Sequence, residues 1–219
     1  MEKGTELIIE ELKNEIATLK QAQNEVRVRT THSLDFYNLE NVLHRDGDLP
    51  ARIYKNGAKE WYQNGKEHRD GDKPAVICAD GTQYWYKHGE LHRDNDLPAA
   101  VYADGTQEWY KNGELHRDND LPTQVWTSGT KAWYKNGEFH RDGDKPAIIR
   151  ADGSQEWFQN GELHRENDLP AVIHPNGTKI WYKNGKIHRD GGKPAFITSI
   201  GQEYYYYNGW SSIKNCIVM

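Results

Sequence analysis

The sequence predicts an all-β repeat protein: an elongated single-layer antiparallel β-sheet, one hairpin per 24-residue repeat, preceded by an α-helix. Three observations predict it. Histidine recurs at His44, His68, His92, His116, His140, His164 and His188, a constant step of 24. Proline follows each six residues later, from Pro50 to Pro194, and tryptophan stands at Trp61, Trp85, Trp109, Trp133, Trp157 and Trp181, with Tyr205 in the seventh place. Turn dipeptides such as Asn56-Gly57, Asp80-Gly81, Asn64-Gly65 and Asn112-Gly113 bound runs like "PAVICA" and "TQEWYK". These runs are rich in β-branched and aromatic residues and too short for helices. Self-similarity at a fixed period marks units that rest on their neighbours.

The first element is different material. "GTELIIEELKNEIATLKQAQNEV" has no Gly or Pro after Gly4. Ile9, Leu12, Ile16, Leu19, Gln23 and Val26 follow a/d spacing, with β-branched residues at two a positions and leucine at two d positions. That pattern favours a parallel dimer, and one polar a site suits it. Residues 1–25 are read as an amphipathic helix that makes a homodimer through Ile9, Leu12, Ile16, Leu19 and Val26. About three heptads are marginal alone, so the competing reading is a helix covering the open edge of the first hairpin.

Residues 26–209 carry the repeats: a degenerate first unit over 26–43, then seven units. In "VRVRTTHSLDFYNLENVLH" Tyr37 takes the tryptophan position and the turn glycines are gone. Asn-Gly and Asp-Gly supply the positive φ that a two-residue type I′ turn needs. Such a turn at Asn56-Gly57 would set Ile53 opposite Glu60, Ala51 opposite Tyr62, and Arg52 opposite Trp61. A three-residue loop would swap the faces. The Ile53 column reads Ile, Ile, Val, Val, Ile, Ile, Ile. The columns starting at Arg52 and Tyr54 read Arg, Val, Ala, Gln, Ile, Val, Phe and Tyr, Cys, Tyr, Trp, Arg, His, Thr. Side chains alternate across a strand, so the fixed column faces one way and the variable ones the other. With the two-residue turn, the six tryptophans join Tyr54, Tyr102 and Trp126 as candidate partner-binding residues. The competing reading packs the tryptophans under the connector leucines Leu91, Leu115 and Leu163.

The connector "HRDGDLP" invites two chemical readings, and repetition argues against both. A kinase catalytic loop occurs once and needs a glycine-rich loop and a lysine elsewhere. Equivalent residues of successive hairpins stand roughly 9–10 Å apart, two strand spacings, so they cannot share an ion held at about 2.0–2.1 Å. The "DGD" and "DND" pairs lack the ligand count calcium requires. The expectation is no catalytic residue, no metal and no cofactor. The aspartates accept backbone N–H groups, Arg bridges to the next unit's aspartate, and His and Pro fill the bend.

Composition narrows the function classes. Only 36% of the 219 residues are apolar and 28% are charged, yet there are 8 Trp and 13 Tyr. Disordered chains are poor in aromatics, so a thin sheet with an aromatic interior fits. A net charge of -5 with interspersed signs gives no footprint for nucleic acid. Cys78 and Cys216 stand in unrelated contexts and suggest a reducing compartment. No signal-like or membrane-spanning run appears, so a cytoplasmic protein is expected.

The units resemble MORN repeats, or the MORN-like variant of many bacterial and giant-virus proteins. "WYKNGKIHRDGGKPAFI", Trp181 to Ile197, carries the family's order of aromatic strand, Lys-Asn-Gly-Lys turn, His and closing strand. "HRDGDLPA" departs from the usual His-Gly and is similar to repeats of large DNA viruses infecting protists. The resemblance implies a twisted, elongated β-solenoid and no shared catalytic activity; members act as scaffolds, dimerisation modules, and protein- or lipid-binding surfaces.

The last element is a tail over 210–219. Cys216-Ile217-Val218-Met219 matches the prenylation box with Met at the farnesyl-type position. Only Lys214 supports it as a basic signal, and one lipid chain anchors marginally. The functional expectation is a non-enzymatic scaffold binding a protein partner, self-associating, with membrane contact on the cytoplasmic face of a host membrane through a prenylated Cys216. The competing class is an aromatic-ladder module for a glycan or lipid headgroup.

Overall fold

The computed structural model describes residues 12–13 and 25–212. It divides into two compact units, residues 1–93 and 94–219. Both are all-β. In the first, Val26–Arg29 pairs with Ser33–Tyr37, which pairs in turn with Arg52–Tyr54, Lys59–Glu60, Val76–Ile77 and Gln83–Tyr84, each antiparallel to the last. The second repeats this order from Ala100–Val101 to Glu203–Tyr207.

Each repeat adds a second, separate hairpin, such as Tyr62–Gln63 with Lys66–Glu67 or Tyr134–Lys135 with Glu138–Phe139. Tryptophan is where the chain changes partner. Trp61 donates its N–H to the Ala75 carbonyl of the next repeat at 2.8 Å, while its own carbonyl accepts from His68 N at 3.1 Å. Because the pairing switches at every tryptophan, most strands are two residues long.

The two turns are not alike. At the second, Asn64 (φ 50°) and Gly65 (φ 78°) both sit in the left-handed region and the flanking residues pair directly, the type I′ geometry expected. At the first, only Gly57 has positive φ (93°); Gly57 N donates to Tyr54 O, and Tyr54 N donates to Ala58 O. This is a three-residue loop, a type I turn closed by a glycine bulge. The expected two-residue pairing is therefore corrected. Arg52 faces Glu60 and Ile53 faces Lys59, and the sheet faces are swapped.

Tryptophan consequently shares its face with the small residues of the proline corner. Ala51, Ala75, Ala99, Ala147, Ala171 and Ala195 are completely buried, and the six tryptophans are 6–7% exposed. These residues are the core, and the connectors cover them.

The ends depart from expectation in three ways. Val26 lies in a strand, opposite Tyr37, and not in a helix; Val-Arg-Val-Arg alternates with period two, which suits a strand. Leu12 and Lys13 are helical, but Ile9, Ile16 and Leu19 lie outside the described residues. Phe36, not Tyr37, takes the tryptophan role: it is 2% exposed, its N–H donates to Ala51 O, and its carbonyl accepts from His44 N. Seven residues separate Phe36 from His44, against six between Trp61 and His68, so the first unit carries one extra residue before its histidine. Finally, Trp210–Ser212 pairs with Tyr205–Tyr207 and belongs to the repeats; Cys216 lies outside the described residues.

Candidate interaction face

The connector side of each repeat is a closed latch. In the first unit, the Trp61 indole N–H donates to the Asp48 carbonyl at 3.1 Å, and the Arg69 guanidinium lies 3.8 Å over the Trp61 ring. Arg69 Nε and Nη2 grip the Asp48 carboxylate at 2.6 and 3.3 Å, Nη1 donates to Pro74 O at 3.2 Å, and Lys73 Nζ adds a contact at 2.6 Å. The same latch in the second unit joins Asp120, Trp133, Arg141 and Lys145. Arginine thus reaches back to the previous repeat's aspartate, not forward as expected. It also covers the ring where connector leucines were expected: Leu115 pairs with Tyr110 on the second hairpin.

The carboxylates register these contacts. Arg69 first, then Lys73, holds Asp48 down at about 2; Arg141, then Lys145, does the same for Asp120. Asp168 lies lower still, for the same reason, with Arg189 and Lys193. The seventh connector has Gly192 where the others have aspartate. Twenty-one residues on, where the matching arginine would fall, the sequence has Ile213. Carboxylate and guanidinium are lost together.

Histidine joins one repeat to the next. His68 Nδ1 takes the His88 backbone N–H at 3.2 Å, and its Nε2 meets Asp70 Oδ1 at 3.0 Å. His164 and His188 do the same through Asn184 and Asn208. An N–H donated to Nδ1 assigns the proton to Nε2. In these repeats the histidine of His-Arg-Asp engages both ring nitrogens, one across to the next repeat and one within its own connector. Grooves between successive connectors, about 350 Å³ beside Asp120 and Lys145, are walled by the same paired ions. Among the described residues no group of three His, Cys, Asp or Glu could hold a metal.

The opposite face is where residues change from repeat to repeat. It carries the variable columns of Arg52 and Tyr54, and a third that sequence reasoning missed, the residue before each tryptophan: Glu60, Tyr84, Glu108, Ala132, Glu156, Ile180, Tyr204. Its variability matched that of the other two, but the wrong loop length had set it on the fixed face. A further aromatic column borders it: Tyr62, Tyr86, Tyr110, Tyr134, Phe158, Tyr182 and Tyr206. The hydroxyls point at the carboxylates. Tyr54 and Tyr62 donate to Glu60 at 3.1 Å each, and Tyr102 and Tyr110 to Glu108 at 3.0 Å each. Burial, then Glu108, pushes the Tyr134 hydroxyl up to about 12.

The nine candidate binding residues therefore divide. Trp61, Trp85, Trp109, Trp133, Trp157 and Trp181 are core under the arginines, whereas Tyr54, Tyr102 and Trp126 are half-buried on the variable face. No protein-family model matches the chain, and no curated protein matches it significantly. Among the described residues, no helix is long and apolar enough to cross a membrane.

Proposed function

We propose that the chain is a non-enzymatic, MORN-like repeat scaffold that binds a protein partner on the variable face. One observation carries this reading. The connector face repeats one self-satisfied latch, while the face of Tyr54, Tyr102 and Trp126 changes residue at each step and keeps half-exposed aromatics beside carboxylates. Aromatics of this kind are common binding anchors. The reading keeps the elongated solenoid that the uninterrupted 24-residue stride favours.

Peptide-display selection against the intact chain tests it. Selected peptides are expected to lose most of their affinity for Trp126→Ser and little for Lys135→Ser, which alters the connector side. Equal loss for both, or no selected peptide, would reject the reading. A saturable hit on a glycan array in place of peptides would favour the ligand-binding alternative.

The reading also includes a homodimer through residues 1–25 and farnesylation of Cys216 at a host membrane. Sedimentation of chains with and without residues 1–25 checks the first, expecting a dimer only with them. Intact mass after eukaryotic expression checks the second, expecting a farnesyl adduct with the last three residues removed.

A further inference from the structure

Glu108 is 7% exposed, and all its hydrogen bonds come from neutral groups: the hydroxyls of Tyr102 and Tyr110 on Oε2, and Gln124 Nε2 on Oε1 at 2.6 Å. Its counterparts on the same face have cations. Arg150 Nε stands 2.6 Å from Glu156, and Arg52 reaches Glu60 at 3.7 Å and Asp35 at 2.9 Å. Among the described residues none makes an ion pair with Glu108. A buried carboxylate without a cation is costly, and such a group points to a charge supplied from outside.

A second, independent observation lies beside it. Gln124 is 8% exposed, and its Oε1 is a buried oxygen with no donor among the described residues. A carboxylate offers about four acceptor positions and an amide oxygen two. With three taken on Glu108, one remains there and two on Gln124, side by side. The need is for N–H donors on a positive group, which an ammonium or guanidinium supplies and a neutral or anionic ligand does not.

The third observation is a change of side chain at the neighbouring position. Gln124 pairs with Ala132, which pairs across the next strand with Ile148. In the column of Ala132 every other repeat has Glu, Tyr or Ile. Ala132 is completely covered; Tyr134 and Trp126 follow Ala132 and Gln124 by two residues and so share their face, and aromatic rings attract cations.

We propose that the Glu108–Gln124–Ala132 cluster is the anchor site for a basic side chain, lysine or arginine, of the protein partner. The proposal rests on the scaffold reading and gives it a chemistry. Electrostatic complementarity of this kind selects partners as well as binding them.

The test takes peptides selected against the intact chain and replaces each of their basic residues by glutamine. One such replacement is expected to weaken binding about tenfold or more. Glu108→Gln is expected to cause a similar loss and to make that replacement cost nothing further. Ala132→Tyr, the residue that Tyr84 and Tyr204 carry in that column of other repeats, adds bulk beside the cluster; it should also lose binding, with circular dichroism and melting used to show that it keeps the fold. Glu114→Gln, on the second hairpin, should bind unchanged. Selected peptides without a basic residue, or binding indifferent to both Glu108→Gln and Ala132→Tyr, would overturn this site while leaving the scaffold reading intact. Failure to select any peptide would overturn both.

Discussion

Trp133→Ala is expected to lower the free energy of unfolding by about 3–5 kcal/mol, the range for deleting a buried tryptophan. The ring is 7% exposed, its N–H is given to Asp120 O at 3.0 Å, and Arg141 lies 3.7 Å above it. Truncation leaves a cavity, an unpaired carbonyl and an arginine with nothing to stack on. Repeats rest on their neighbours, so the loss should also broaden the transition. Trp126→Ala removes an indole of equal size from the half-buried variable face and should cost less than half as much. Urea titration followed by far-ultraviolet circular dichroism checks both. Equal costs would mean that the tryptophan ladder is not the core.

The second large effect is acid lability. The latch aspartates titrate lower in the folded protein than in the unfolded chain. Asp48 and Asp120 lie at about 2, and Asp96, Asp144 and Asp168 are lowered by Arg117, Arg165 and Arg189. A depressed carboxylate stabilises the fold fully above its unfolded value of about 3.9 and loses that contribution as pH falls toward the folded value. The melting temperature should therefore hold steady at pH 5–7 and fall steeply between about pH 4 and 2. Each carboxylate is 39–50% exposed, so single latches contribute modestly; the effect comes from all of them protonating in one window. Molar salt at neutral pH should weaken the latches in the same direction. A melting temperature unchanged from pH 5 to 2 would show that the forks do not hold the connectors.

Much of the architecture can be read directly from the periodicity. A step of 24, turn glycines and two-residue strand cues identify an antiparallel hairpin repeat, because local turn chemistry and side-chain alternation act within a few residues. Repetition also argues against one ion shared between His-Arg-Asp connectors, since strand spacing keeps equivalent residues apart.

Tertiary structure decided which face is which. Asn56-Gly57 and Asn64-Gly65 look identical as dipeptides, yet one closes a three-residue bulged loop and the other a two-residue turn. Asparagine adopts positive φ only where the neighbouring pairing calls for it: Asn64 does and Asn56 does not. One residue of loop length moved tryptophan from the open face to the core and revealed the Glu108 column. The aspartate partner of Arg69, Arg117, Arg141, Arg165 and Arg189 lies 21 residues back, on another repeat, and Phe36 displaced Tyr37 through one extra loop residue. Such choices depend on which groups meet across repeats, where burial and ion pairing act over distances that local sequence preference does not reach.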